Sequence, residues 1–174
     1  KSITVSSLYL IGGDSLLIGT TIIDAQESGS VATFSSGEDA SSILQGFTLQ
    51  NGNGNDEDPD GNGSYYTYGG GIYCENSDPT IRDCIIRNNV ANEGGGGGIF
   101  CYESSPIFVG CTIFGNETDD VGGGLYSRSS SSPEFYDCTF YDNLAEFGGG
   151  CYLRNESTPI MDNVVFNDNT ANNC

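Results

Sequence analysis

The sequence predicts an all-β fold: a single-stranded parallel β-helix, in which each turn of chain stacks on the one before. Three observations predict it. Prolines recur at Pro79, Pro106, Pro133 and Pro159, and ten residues after each stands an asparagine: Asn89, Asn116, Asn143, Asn169. A fixed period of 26–27 residues marks stacked copies of one structural unit. Aligning the copies gives uniform columns: Ile72, Ile99, Leu125, Cys151; then Ile81, Phe108, Phe135, Met161; then Ile86, Ile113, Phe140, Phe166; and a small-residue column, Ala91, Thr118, Ala145, Ala171. Finally, no copy carries an apolar period of 3.6 over a helical length, and Gly, Pro and Asn are too dense for helices.

Each repeat divides into three short strands. The first is Gly-Ile-Tyr-Cys, with Ile72 and Cys74 on one side and Tyr73 on the other. A Ser/Asp/Pro turn follows, then a strand near Thr80-Ile81 and a third at Cys84-Ile85-Ile86. Asn89 then bends the chain into a glycine-rich corner. The asparagines form a structural ladder, Asn51, Asn89, Asn116, Asn143 and Asn169, because stacked amides can donate from rung to rung and tolerate left-handed backbone.

Residues 1–174 read as one β-helix domain of about six rungs, roughly 25–30 Å tall at ~4.8 Å per rung. Within it, 1–50 are irregular first rungs, 51–68 an acidic loop insertion, and 69–174 the regular repeats. In the first part, Asp24 lies 27 residues before Asn51, and Ile43 and Gly46 take the positions of Ile81 and Cys84.

Composition narrows the setting. Twenty-four acids, five bases and no histidine give a formal charge of −19. Such a surface repels nucleic acid and acidic membranes and attracts cations. No apolar run reaches a membrane-spanning length, so no membrane insertion by this segment is expected. The acidic, Asn/Ser/Thr/Gly-rich, lysine-poor composition suits an extracellular or cell-surface location. The chain opens on Lys1 and stops on Cys174 inside a repeat, so it reads as a segment of a longer product.

Seven cysteines are present. Cys84, Cys111 and Cys138 share one position with Val164, Cys74 and Cys101 another with Ser127 and Leu153, and Cys151 stands where other copies have Ile or Leu. Cysteine that interchanges with aliphatics behaves as a small core residue. Two readings stay open: buried thiol ladders, or disulfides between rungs, whose ~4.8 Å in-register spacing is slightly long for bridged Cβ atoms. No spacing suggests zinc.

The paired signatures Gly-Gly-Gly-Ile and Phe-x-x-Asn, here Phe140-Tyr-Asp-Asn143 and Phe166-Asn-Asp-Asn169, resemble the short repeats of polymorphic outer-membrane proteins. More broadly the chain resembles the pectate-lyase-like β-helix repeats of large bacterial surface proteins, well over 69–174 and weakly over 1–50. The resemblance implies right-handedness, secretion and surface exposure. It implies adhesion in the surface families, and cleavage or binding of acidic polysaccharide in the enzymes of this fold.

Two places could carry chemistry. Asp56, Asp58 and Asp60, followed by Gly61, have the alternation of an oxygen-coordinated calcium loop, set against a solvated acidic loop. The EF-hand's twelfth position would be Thr67, so a full EF-hand loop is absent. The column Tyr73, Phe100, Tyr126, Tyr152 points outward by alternation and offers a contact surface for protein or sugar, unless Tyr65, Tyr66 and Tyr68 fold over it. No catalytic residues are assigned. Hydrolysis in this fold uses aspartates with a histidine, and a lyase needs a Lys or Arg base; Arg128 and Arg154 stack on adjacent rungs but find no recognisable carboxylate cluster. The expected function is therefore a non-enzymatic extracellular structural protein, a cell-surface adhesin or a self-associating fibre subunit. Its partners would be other copies stacked end to end or flanking domains of the same protein, with a polysaccharide or a host or cell surface as further contact. The alternative is a calcium-dependent polysaccharide-binding or lyase-like module.

Overall fold

The structure, a computed structural model, describes residues 2–12, 14–59 and 61–173. Three parallel sheets run along one axis. The first contains Ala32–Phe34, Ile72–Glu75, Ile99–Tyr102, Leu125–Arg128 and Cys151–Leu153. The second contains Thr4–Ser6, Ile43–Gln45, Thr80–Arg82, Ile107–Val109, Glu134–Tyr136 and Ile160–Asp162. The third contains Ile22–Asp24, Thr48–Gln50, Ile85–Arg87, Thr112–Phe114, Thr139–Tyr141 and Val165–Asn167. The six-stranded second and third sheets count about six turns of solenoid.

Every apolar column falls in register and inside. Ile99 pairs with Ile72 and Leu125, Phe108 with Ile81 and Phe135, and Ile113 with Ile86 and Phe140. These nine side chains are wholly buried. Phe108 and Phe135 stack at 4.7 Å, and Phe140 and Phe166 at 4.8 Å, spacings set by the distance between adjacent strands. Between the second and third sheets each coil after the first turns on one left-handed residue: Gly46, Asp83, Gly110, Asp137 or Asn163, with φ from 47° to 77°. Gly, Asp and Asn are the residues that adopt this conformation at least strain.

The asparagine ladder is present, shifted at its first rung. The amides of Asn89, Asn116 and Asn143 donate to the side-chain oxygens of Asn116, Asn143 and Asn169 at 3.0, 2.9 and 2.8 Å. Asn51 is not part of it. Gln50 pairs with Arg87 and Leu44 with Ile81, so Asn51 matches Asn88 and Gly52 takes the ladder position, its N–H donating to Asn89 Oδ1 at 2.9 Å. Asn51 instead donates to Asp24 at 2.8 Å. The same one-residue slip places Leu44, not Ile43, in the Ile81 column and Phe47, not Gly46, opposite Cys84. A strand's side-chain period of two makes a one-residue slip turn every side chain over, which is why Leu44 is buried and Ile43 only half-buried.

A second ladder runs through the Ser/Asp/Pro turns. The N–H groups of Gly37, Ser77 and Ser104 donate to the hydroxyls of Ser77, Ser104 and Ser131, each at 3.1 Å. Two short helices, Tyr9–Gly12 and Leu16–Thr20, interrupt the first coil.

Candidate functional site

The interruption at 51–68 builds a hairpin that leaves the solenoid pattern. Asn55–Glu57 and Tyr66–Tyr68 form an antiparallel hairpin, and its second strand pairs in parallel with Glu93–Gly95. The base of the hairpin is fastened by polar contacts. Ser30 N–H donates to Asn55 Oδ1 at 3.1 Å, Asn55 Nδ2 to Thr33 Oγ1 at 2.9 Å, and the Thr67 hydroxyl to the Asn92 carbonyl.

This hairpin covers the aromatic column. Tyr68 stacks on Phe100 with centroids 4.5 Å apart, and Phe100 lies 5.4 Å from both Tyr73 and Tyr126. Tyr73, Phe100 and Tyr126 are at most 2% exposed, while Tyr152 is half-buried. The contact surface expected of Tyr73, Phe100, Tyr126 and Tyr152 is thus a second hydrophobic core outside the first sheet, completed by Val121 with Tyr102 and Phe147 packed against it. Alternation correctly sends these rings away from the axis. What it does not show is that the hairpin and the following corners fold back over them. The covering reading of Tyr68 is the one realised; Tyr65 stays exposed.

The hairpin base is anionic. The Tyr73 hydroxyl donates to Glu75 at 3.1 Å. Burial pushes the Glu57 carboxyl above its ordinary range, with the nearby Glu75 and Asp56 charges adding to the effect. Farther along, Asp58 turns its carboxylate into its own loop, accepting from Asn62 N–H at 3.1 Å and Gly63 N–H at 2.7 Å. Asp56 lies on the hairpin strand opposite Thr67, and Asp60 lies outside the described residues. Among the described residues no group of three or more Asp, Glu, Cys or His side chains could hold a metal ion.

Arg128 stands on the outer side of the first sheet. Tyr102 pairs with Glu75 and Arg128, and the Arg128 guanidinium lies over the Tyr102 ring at 5.3 Å, a cation–π contact. Arg128 is only 5% exposed, whereas Arg154 is exposed. Burial raises the Asp120 carboxyl above its ordinary value, as do Glu146 and Asp119, against a smaller lowering by Arg154. Sequence reasoning missed this acidic corner, because the glycine-rich corners differ in length and hide the alignment of their carboxylates. The sequence holds three Asn-x-Ser/Thr motifs, at Asn62, Asn116 and Asn155; Asn116 is wholly buried in the ladder, and Asn62 and Asn155 are exposed.

A family described as a right handed beta helix region matches residues 8–174. The chain belongs to the right-handed β-helix family. Membership supplies the hand of the solenoid and agrees with the three stacked sheets over nearly the whole chain. No curated protein and no solved structure matches the chain. Right-handed β-helices include both enzymes and non-enzymes, so the family describes a scaffold and leaves the activity to particular side chains. No helix among the described residues is long and apolar enough to cross a membrane.

Proposed function

We propose that this right-handed β-helix is a non-enzymatic extracellular structural protein, a surface adhesin or fibre subunit, that associates coil against coil. The observation that carries this reading is the junction between coils. Each internal junction repeats the same in-register apolar columns and the same amide ladder. Met161 and Phe166 continue the Phe135 and Phe140 columns in the last described coil. A coil of the same repeat, from the same polypeptide or from a neighbouring molecule, can add to such columns with contacts the solenoid already uses at each internal junction. Stacking of this kind is head-to-tail, and head-to-tail contacts that do not close make filaments.

Sedimentation of the wild type and of Met161→Glu with Phe166→Glu tests the reading. Concentration-dependent association that disappears in the double variant supports it. A wild type that stays monomeric across the concentration range, while retaining native circular dichroism, overturns self-association.

The polysaccharide reading has lost its aromatic platform, since those rings are covered. It retains Arg128 and Arg154 as candidate bases and the acidic loop as a calcium site. Formation of unsaturated product from polygalacturonate, dependent on calcium and abolished by Arg154→Ala, would replace the structural reading with a lyase.

A further inference from the structure

Three Asn-Gly pairs stand in the chain, all in the segment that interrupts the repeat: Asn51-Gly52, Asn53-Gly54 and Asn62-Gly63. An asparagine before a glycine is open to an internal reaction, because no Cβ shields the glycine nitrogen from the asparagine side chain. The three pairs lie in different surroundings. Gly52 is buried, its N–H fixed on Asn89 Oδ1 at 2.9 Å, and the Gly70 backbone leaves no room beside it. Gly54 is buried against the Tyr68 backbone. Asn62 and Gly63 are both exposed in the hairpin loop, and a Cβ placed on Gly63 would meet nothing within 4 Å. Here Gly63 N–H donates to Asp58 Oδ2 at 2.7 Å, and Ser64 N–H donates to Asn62 Oδ1 at 2.8 Å. A third bond, from Asn62 N–H to Asp58 Oδ1 at 3.1 Å, holds the carboxylate in place.

We propose that Asn62-Gly63 is a self-modifying site, at which Asp58 promotes conversion of Asn62 to aspartate and isoaspartate. Asp58 Oδ2 is within hydrogen-bond reach of the proton on the attacking nitrogen, which is the first requirement of a general base. The Ser64 N–H is aimed at the side-chain oxygen on which negative charge develops, as an oxyanion donor must be. Neither arrangement exists at the other two pairs, where Gly52 N–H is held by a neutral amide inside the ladder and Gly54 is enclosed.

Gly63 N gives its proton to Asp58 and attacks Asn62 Cγ, forming a C–N bond and closing a succinimide ring. Asp58 passes the proton to Nδ2, the Cγ–Nδ2 bond breaks, and ammonia leaves. Water then adds to either carbonyl of the ring and opens it, giving aspartate or isoaspartate. One water is consumed and one ammonia released, with no oxidant or cofactor. Either product adds a negative charge to the loop. Isoaspartate also routes the main chain through the side chain, which lengthens the loop of the hairpin that covers the aromatic column. Closing the ring requires the loop to leave its resting conformation, an opening that an exposed loop makes far more readily than the buried backbone at Gly52 or Gly54.

The test holds the folded protein at neutral pH, samples it over days, and maps its peptides by mass spectrometry, with isoaspartyl methyltransferase labelling to find isoaspartate. Asn62 should convert while Asn51 and Asn53 stay intact. Asp58→Asn keeps an oxygen acceptor but removes the base, and should slow conversion of Asn62 by about tenfold or more. The same map made in urea separates the fold from the local sequence: there Asp58 no longer faces Gly63, so Asn62 should slow while Asn51 and Asn53 accelerate. Conversion at Asn51 or Asn53 ahead of Asn62 in the folded protein overturns the proposal. So does an Asp58→Asn variant, native by circular dichroism, that converts as fast as the wild type or faster, since the carboxylate would then be idle or protective. The urea comparison uses the wild type alone and decides the question if the variant fails to fold; faster conversion of Asn62 in urea counts against the site.

Discussion

Replacing Asn116 by alanine removes the centre of the amide ladder. Its side chain makes four hydrogen bonds: Oδ1 accepts from Asn89 N at 3.2 Å and Asn89 Nδ2 at 3.0 Å, and Nδ2 donates to Ile86 O at 3.0 Å and Asn143 Oδ1 at 2.9 Å. Asn89, Asn116 and Asn143 are wholly buried, so no water replaces what is lost. The Asn89 N–H is the group left with no acceptor, and a buried group orphaned in this way costs about 1–3 kcal/mol. Asn89 Nδ2 keeps its bond to Leu49 O, and Asn143 Oδ1 keeps its bond from Asn116 N. Those partly satisfied groups each lose about 0.5–1 kcal/mol. The sum is about 2–5 kcal/mol for Asn116→Ala. Asn51→Ala is the comparison: its amide meets the exposed Asp24 carboxylate and its φ of 57° puts a modest backbone strain on alanine, so it should cost less than Asn116→Ala. Urea unfolding at equilibrium, followed by far-ultraviolet circular dichroism, measures both through the midpoint and slope. Equal destabilisation by the two substitutions, or less than about 1 kcal/mol for Asn116→Ala, would refute the ladder and its register.

Three further outcomes follow from side chains already described. Ser127 stands at 0% exposure in the Cys74–Cys101 column, and its hydroxyl has no hydrogen-bond partner among the described residues. Ser127→Ala should therefore stabilise the protein by about 1 kcal/mol, seen as a higher urea midpoint; a lower midpoint would show the hydroxyl satisfied. Tyr68→Ala strips the ring stacked on Phe100 and should cost about 2–4 kcal/mol, with loss of near-ultraviolet tyrosine dichroism; unchanged dichroism would mean the column is not covered by Tyr68. Asp120 has a folded pKa above its ordinary 3.8, so the folded state favours its proton. Its contribution to stability is present below 3.8 and is lost as pH rises through the raised folded value. Asp120→Asn should raise stability at neutral pH and flatten the profile between those two values; an Asn variant that is less stable at neutral pH contradicts the assignment.

The regular part of the fold was legible because repetition multiplies weak signals. One Gly-Ile-Tyr-Cys says little, but four copies at one spacing locate Ile72, Phe108 and Ile113 in the core. The first coils were legible only to within one residue. With an insertion between Asn51 and Asn89, identity of residue type pointed to Asn51 while hydrogen bonding selected Gly52. A glycine contributes no side chain to a column and so leaves no trace in an alignment by chemistry. The site was harder for a different reason. Alternation tells which way Tyr73 and Phe100 point, but burial depends on whether another segment crosses them. The tyrosines at 65, 66 and 68 were the available signal, and only Tyr68 turns out to stack on the column. The serine ladder was visible as a 27-residue recurrence of Ser77, Ser104 and Ser131, yet serine beside proline reads equally well as ordinary turn chemistry.

Electron microscopy of the protein as isolated from its source tests most directly whether this right-handed β-helix is a coil-stacking structural protein. The account predicts rods longer than the ~25–30 Å expected of six turns, with solenoid density continuing past Met161 and Phe166. Uniform short particles, in which those residues face solvent or an unrelated globular domain, would contradict it.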